Sequence, residues 1–232
     1  MKRYILVCIV FISFAAMAQE KKITWDYPVK PDMEEWKKCN SPEEIYQALQ
    51  IPEKVLTGID TKSLVQLCLD YPAPTVFYIF NTPQQGFEEF YDQFNGIREL
   101  MKRKDAGIQL LNKYVEMSMD DFNFLWSLEA QGKFVEKFYC MELFLAQPTI
   151  VKSFGEQERR ILLEESIRKY EMKRAREDLF GGLNPGASIW VMARMLYAEN
   201  KLKLDNADSL DSGMLTGFDA TSLYQQVKSY IR

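Results

Sequence analysis

The chain has 232 residues, of which 47% are hydrophobic, 13% aromatic and 27% charged, and its formal net charge is −4. This apolar content is too high for a disordered chain, and four cysteines are too few for a small disulfide-stapled domain. The sequence contains no histidine, which excludes every nucleophile–histidine pair and every zinc site that needs imidazole.

The first residues have the pattern of a cleaved signal peptide. Basic residues precede an apolar run over 4–14, and the Ala-Met-Ala sequence at 16–18 is typical of a signal-peptidase site. We expect cleavage after Ala18, which makes residues 1–18 a signal peptide. Because the apolar run is shorter than the about 20 residues that a spanning helix needs, we expect no membrane span after cleavage. The predicted location is periplasmic or extracellular.

Charge and cysteine content restrict the chemistry of the mature chain. Signal removal takes away basic residues and no acidic ones, so the mature protein would be more acidic than the whole chain. A nucleic-acid-binding protein normally has a basic excess, and we therefore expect no nucleic-acid partner. Cys39, Cys68 and Cys140 remain, an odd number that leaves at least one thiol unpaired. We interpret Cys68 and Cys140, which have apolar neighbours, as buried and unreactive.

Start signals for helices follow a polar lead-in. We expect residues 19–31 to be extended and anchored by Trp25 and Tyr27, because large aromatic side chains rarely stay exposed. Residues 32–232 then form one predicted helical domain. Its first part, 41–71, is a run of short helices, with predicted N-caps at Ser41 and at either Asp60 or Thr61 and, beyond that run, at Thr82.

Apolar residues at spacings of three and four predict the remaining helices. These helices cover 83–101, 105–115, 120–145, 148–154, 156–178, 188–200 and 219–231. The predicted inward face of 105–115 is formed by Ile108, Leu111 and Val115, and that of 120–145 begins with Phe122, Leu125 and Trp126. Gly96, inside the helix 83–101, is interpreted as a close approach of a neighbouring segment. Residues 75–80 have strand character but no partner run, so we favour helix there as well. The charged helix 156–178 is predicted on the surface, and 181–186 and 201–217 are predicted loops.

The fold prediction is therefore all-α. We expect about nine or ten short antiparallel helices with short connections and no strand. The spacing of the helices leaves two architectures open, an irregular α-α superhelix that is only loosely repeat-like or a compact bundle, because no strict repeat occurs in the sequence.

No combination of residues forms a coherent catalytic site. Adjacent acids such as Glu43 and Glu44 point about 100° apart on a helix, and first-turn acids favour capping roles. Ser166 and Lys169 have the Ser-x-x-Lys spacing of penicillin-binding enzymes, but the companion motifs of those enzymes are missing. The acids of 205–211 do not have EF-hand spacing. We assign no catalytic residue, no metal ligand and no cofactor.

Two tyrosines and a basic cluster are the candidate binding residues. Tyr78 and Tyr91 lie in an aromatic-rich stretch, and an exposed tyrosine there could contact a peptide or a sugar. Lys102, Arg103 and Lys104 lie between two predicted helices. They fit either the negative end of a helix dipole or a docking patch for an acidic partner.

A series of short segments supports a family resemblance. The segments lie at 25–31, 35–36, 51–53, 68–72, 94–96, 99–100 and 103–106. In order and spacing they resemble a group of uncharacterised secreted proteins of Bacteroidetes. The resemblance covers about residues 24–115, implies export in a Gram-negative bacterium and a fixed role for 94–106, and implies no activity or ligand.

Two functions remain open at this point. The leading hypothesis is a non-enzymatic exported protein of the bacterial envelope that binds another protein or a peptide through a helix-lined surface. It rests on the all-α prediction and on the lack of a coherent catalytic site. The alternative is a carboxylate-based enzyme acting on glycans or cell wall, which would need a cleft with two facing acids.

Overall fold

The structure is a computed structural model that describes residues 24–73, 80–181, 184–202, 208–213 and 219–231. Within these ranges it contains a 3₁₀ turn at Met119–Asp121, fourteen α-helices and no strand, which confirms the all-α prediction. The helices are shorter and more numerous than we expected. They are α1 (Glu34–Lys37), α2 (Pro42–Ala48), α3 (Glu53–Gly58), α4 (Thr61–Leu69), α5 (Pro83–Gln93), α6 (Asn95–Leu100), α7 (Ala106–Glu116), α8 (Leu128–Leu145), α9 (Pro148–Ser153), α10 (Glu156–Ala175), α11 (Glu177–Phe180), α12 (Asn184–Ala198), α13 (Asp208–Ser212) and α14 (Ala220–Tyr230).

Several predicted helix starts are confirmed by their caps. The side chains of Ser41, Asp60 and Thr82 each accept a hydrogen bond from the backbone N–H three residues further on. Pro42 and Pro83 occupy first helical positions, where the missing N–H of proline costs nothing. The signal peptide, residues 1–18, and most of the segment 75–80 lie outside the described residues.

The predicted anchoring of the lead-in is also confirmed. Tyr27 is buried, and its hydroxyl donates a hydrogen bond of 2.8 Å to the carbonyl oxygen of Leu67. Its ring lies 6.0 Å from the ring of Tyr71 and 6.2 Å from that of Phe94. Trp25 packs edge-on against Tyr27. The lead-in is thereby fixed against α4 and the aromatic core.

The single helix predicted across 83–101 is wrong, because the chain is extended at Phe94 between α5 and α6. There the Asn95 side chain pairs with both backbone groups of Ile51. Its Oδ1 accepts from the Ile51 N–H at 2.9 Å, and its Nδ2 donates to the Ile51 carbonyl at 2.8 Å. Gly96 marks the predicted close approach, since a Cβ would lie 2.3 Å from the Phe94 ring. A continuous helix would break both hydrogen bonds.

The buried face of α7 is rotated from the prediction. Ile108 and Val115 were expected to face the core with Leu111, but both are exposed. The buried face is formed by Leu110, Leu111 and Tyr114. The large Tyr114 ring is buried and its hydroxyl donates to the Glu142 carboxylate in the core, which turns the two β-branched residues towards solvent.

Helix α8 begins at Leu128 and not near Asp120 as predicted, with the Ser127 side chain as its N-cap. Gly132 lies inside α8 and does not interrupt it. Every residue of the inner half of α8, 138–145, is buried, whereas no residue of the outer half, 128–137, is buried. The outer half therefore borders the surfaces described below.

Helix α10 was predicted on the surface, and this is wrong for one of its faces. It packs along α12, and it buries Leu162, Leu163, Lys169 and Lys173. The sequence did not predict this buried face, because the helix is rich in charged residues and two of the buried side chains are lysines. The other face of α10 is exposed and salt-bridged as expected, for example between Arg160 and Glu164 at 3.0 Å.

The later loops are shorter than predicted. Helix α12 begins at Asn184 within the expected loop 181–186, and α13 lies within the expected irregular stretch 201–217. The side chain of Asp219 caps the last helix by accepting from the Thr221 N–H, and Tyr230 of that helix is exposed. Within the described ranges, every helix is too short or too polar to span a bilayer.

Candidate functional site

The structure places the predicted binding residues in different settings. Tyr78 lies outside the described residues. Tyr91 is half-buried on α5, with its ring 6.3 Å from that of Phe87. Lys102 and Lys104 are exposed between α6 and α7, where they remain accessible. Within the described ranges, no hydrogen bond or ring contact joins Tyr91 to these lysines.

Arg103, in contrast, contacts the interior of the protein. Its Nη1 donates to the Ile59 carbonyl and its Nη2 to the Leu56 carbonyl, each at 2.7 Å. Its Nε lies 3.1 Å from Glu99 Oε1. The guanidinium thus satisfies carbonyl oxygens at the end of α3, which have no partner within that helix. It links α3 to α6.

We expect Arg103→Met to lower the free energy of unfolding by about 2 kcal/mol, because two carbonyl groups lose a charged donor. Lys102→Met and Lys104→Met should each change it by less than about 0.5 kcal/mol, since both side chains are exposed. Urea denaturation followed by circular dichroism measures all three. Equal stabilities for the three variants would show that Arg103 does not have this structural role.

Among the described residues, the most exposed large apolar side chains lie in the turn that leads into α8, residues 122–128, which we call the apolar turn. Leu125 is 92% exposed, Leu128 86% and Phe124 67%. Trp126 is also exposed. Soluble proteins seldom expose large apolar side chains side by side unless the surface binds something.

Local hydrogen bonds fix the shape of the apolar turn. The Trp126 N–H donates to the Asn123 carbonyl at 3.1 Å, which closes a β-turn with Phe124 and Leu125 at its tip. The Asn123 side chain accepts from the Leu125 N–H at 2.9 Å. Gln131 of α8 donates to the Trp126 carbonyl at 2.9 Å. The exposed side chains are therefore presented by an ordered backbone.

A chain of ring contacts connects the apolar turn to the core. Phe122 lies 4.9 Å from Phe124 and 5.4 Å from Phe134, measured between ring centroids. Phe134 in turn contacts the buried Phe138 at 5.4 Å. The Arg176 guanidinium lies 4.9 Å from the Phe124 ring centre, which is within the range of a cation–π contact. The aromatic base of the turn is thus held in place.

Our sequence reasoning missed the apolar turn because it assigned Phe122, Leu125 and Trp126 to a buried helix face. Two signals could have identified it. Large apolar residues at 122, 124, 125 and 126 cannot all share one face of a helix. Asn123 and Ser127 are also typical turn and N-cap residues.

A charged cleft of about 490 Å³ lies on another side of α8. Its walls are formed by Asp26 and residues 30–32 of the lead-in, by residues 69–72 at the end of α4, and by the outer half of α8. Glu136 of α8 is half-buried in this cleft, and burial raises the pKa of its carboxyl to about 7. Sequence reasoning did not single out Glu136, because the cleft joins segments far apart in the chain.

A buried polar cluster lies beneath these surfaces. Glu142 accepts hydrogen bonds from the Tyr114 hydroxyl and the Ser188 hydroxyl, each at 2.7 Å, and forms an ion pair of 2.5 Å with Lys173. All four side chains are completely buried. Burial lowers the pKa of Lys173 and raises that of Tyr114. Through these contacts the cluster joins α7, α8, α10 and α12 in the interior.

The nearby Lys169 is almost as deeply buried. Its Nζ donates to the Met117 carbonyl and lies 3.5 Å from the Glu165 carboxylate. Burial lowers the pKa of Lys169 to about 8. Ser166, which sequence spacing pairs with Lys169, donates instead to the Leu162 carbonyl at 2.7 Å within its own helix. The Ser-x-x-Lys spacing therefore does not form a reactive pair.

The three cysteines that the structure describes are free thiols. Cys68 and Cys140 are buried as predicted, and Cys39 is partly exposed. Burial raises the pKa of both buried thiols. Within the described ranges, no group of three or more acidic or cysteine side chains is close enough to hold a metal ion.

Comparisons with known protein families, with curated proteins and with solved structures found no match to this chain. The resemblance to secreted Bacteroidetes proteins therefore stays a prediction. The structural features that bear on function are the apolar turn, the charged cleft and the buried polar cluster.

Proposed function

We propose that this protein is a non-enzymatic, exported binding module of the bacterial envelope that docks on a protein partner through its apolar turn. The exposure of Phe124, Leu125 and Leu128 on one ordered turn carries the proposal. Export, in the periplasm or outside the cell, is supported by the signal-peptide pattern of residues 1–18.

The turn has the properties of a binding hot spot. Aromatic residues are enriched at the centres of protein interfaces, and a few such residues supply most of the binding energy. The backbone of the turn is already ordered by Asn123 and Gln131, so little conformational entropy is lost on docking. An exposed leucine at the tip can then enter an apolar pocket with little rearrangement.

Charges beside the turn favour a protein over a membrane as the partner. Asp120 and Asp121 immediately precede the turn, and both are exposed. The neighbouring base, Arg176, is paired with Asp178 at 2.8 Å. Anionic lipid surfaces attract basic clusters and repel exposed acids. We therefore expect a partner protein with an apolar pocket and a basic rim.

Site-specific crosslinking tests the proposal. A photoreactive p-benzoyl-phenylalanine in place of Leu125, in cells that export the protein, is expected to give one discrete adduct with another protein. The same residue in place of Ile108, an exposed apolar position on α7, is the control and should not give that adduct. Adducts only with lipid or with a second copy of this chain would contradict the proposal.

We expect Leu125→Asp to weaken binding of the crosslinked partner about 30-fold, since loss of a hot-spot residue costs about 2 kcal/mol. Unfolding should be unaffected, because Leu125 is exposed in the free protein. Val115→Asp, at an exposed position on α7, is the matched control and should bind as the wild type does. Isothermal titration calorimetry with the purified partner measures both.

The alternative, a carboxylate-based enzyme acting on glycans, needs two acids free to act across one cleft. In the charged cleft, Asp26, Asp70 and Glu129 are each paired with a lysine. Among the described residues, Glu136 and Asp32 line the cleft without an ion pair, but Asp32 is exposed to solvent, so only Glu136 is held in a half-buried position there. We therefore place protein binding first. Release of reducing sugars from cell-wall glycan by the wild type, lost in Glu136→Gln, would favour the enzyme.

A further inference from the structure

The charged cleft has a distinctive balance of charges. Each of its lysines already has a carboxylate partner. The ion pairs are Lys30 with Asp26 at 2.6 Å, Lys133 with Glu129 at 2.6 Å, and Lys137 with Asp70 at 2.5 Å. Glu136 and Asp32 have no basic partner among the described residues, so the described walls are acidic overall.

Glu136 is the more deeply placed of these two acids. It is half-buried, and within the described residues it forms neither a hydrogen bond nor an ion pair. Burial favours its neutral form, and the charge of Lys133 only partly opposes this. A half-buried carboxylate without a partner is costly, and a cation brought by a ligand would remove that cost.

The other groups that face the cleft complete its electrostatic environment. Lys137 lies beside Glu136 on α8, and Asp70 lines the cleft from the end of α4. From the lead-in, Asp26 and Lys30 face the cleft as a pair, and Asp32 as a single acid. The nearby thiol is that of buried Cys140, whose raised pKa keeps it neutral.

The shape and lining of the cleft fit an organic cation. Its volume of about 490 Å³ is within the usual range of small-ligand sites. Leu69, Tyr71 and Pro72 supply an apolar wall for a methylene chain, and the buried Tyr71 hydroxyl has no hydrogen-bond partner. A metal ion fits poorly, because no three potential ligands lie together in the described part of the chain.

We propose that the charged cleft binds the ammonium or guanidinium group of a ligand, with Glu136 as its counter-ion. The cation can belong to a free amine or to a lysine or arginine side chain of a peptide, since both present the same group. This site is separate from the apolar turn, and it does not depend on the proposed protein partner.

Calorimetry with three compounds tests the site. They are acetyl-Gly-Lys-Gly-amide, its neutral counterpart acetyl-Gly-Gln-Gly-amide, and putrescine. We expect the lysine peptide or putrescine to bind and the glutamine peptide not to bind. Binding of putrescine alone identifies a free amine as the ligand, and binding of the lysine peptide identifies a side chain. Failure of both cationic compounds, or equal binding of the glutamine peptide, would overturn the proposal.

The pH dependence gives a second measurement. Only ionised Glu136 attracts the cation, and with its pKa at about 7 the ionised fraction rises about tenfold from pH 6 to pH 8. We expect affinity to rise by the same factor over this interval, and binding at pH 7 to release protons. An affinity that is constant between pH 6 and pH 8 would contradict the role of Glu136.

A matched pair of variants completes the test. Glu136→Gln should weaken binding at pH 8 by at least about tenfold and abolish the pH dependence. Glu53→Gln, an exposed position on α3, makes the same change in net charge away from the cleft and should bind as the wild type does. Equal losses in both variants would show a nonspecific charge effect. Circular dichroism confirms that both variants are folded.

Discussion

Replacing Lys173 with methionine is expected to lower the free energy of unfolding by about 3–5 kcal/mol. The substitution keeps an apolar stem of similar length but leaves the Glu142 carboxylate buried without its ion-pair partner. Tyr114 and Ser188 still donate to Glu142, yet two neutral donors do not replace a buried countercharge. Urea denaturation at neutral pH measures the change.

Two further variants separate the buried charge from other effects. Lys37→Met removes one partner of an exposed ion pair with Glu34 and should cost less than about 1 kcal/mol. The double variant Lys173→Met/Glu142→Leu should be more stable than Lys173→Met alone, because no unpaired charge remains. If Lys173→Met cost no more than Lys37→Met, the buried polar cluster would not have the structural role described above.

Asn95→Ala is expected to lower the free energy of unfolding by about 2–4 kcal/mol, because two buried backbone groups each lose their partner. These groups are the N–H and the carbonyl of Ile51, a residue in the core. The cost arises at the junction of α5 and α6, where the nearby Gln50 side chain is already bonded to the Gln93 carbonyl and the Asn95 N–H. Thermal and urea denaturation measure it.

The control for this variant is Asn112→Ala on the exposed side of α7. Alanine has a higher helix propensity than asparagine, so this control should be neutral or slightly stabilising. A loss of stability in Asn112→Ala equal to that in Asn95→Ala would contradict the specific role of the Asn95 side chain.

Local signals in the sequence were sufficient where a short-range hydrogen bond decides the structure. The caps at Ser41, Asp60 and Thr82 are examples, since each cap involves only a backbone N–H three residues away. The aromatic anchor at Tyr27 was predictable as well, because its size and apolarity require burial somewhere.

Long-range contacts explain most of the predictions that were wrong. The break at Phe94 depends on a pairing between Asn95 and Ile51, which are separated by 44 residues. The buried face of α10 depends on Glu142, which lies 31 residues from Lys173. The spacing of apolar residues does not predict such pairings between polar side chains and distant segments. A lysine that is buried in the structure cannot be distinguished in the sequence from one that is exposed.

The short segments behind the family resemblance have structural roles in this chain. Segments 51–53 and 94–96 meet through the hydrogen bonds between Ile51 and Asn95. Arg103, from another of these segments, binds the carbonyls of α3. The fixed role expected for 94–106 is consistent with helix packing, and these segments reveal nothing about a ligand.

The two halves of helix α8 have different surroundings. Its inner half is enclosed by the core, whereas its outer half borders the apolar turn and the charged cleft. Substitutions at the exposed positions of the outer half, such as Leu128, Glu129 and Lys133, therefore change the surface while leaving the buried contacts intact. In evolution, sequence divergence at these outer positions can alter specificity one residue at a time, under little selection from folding.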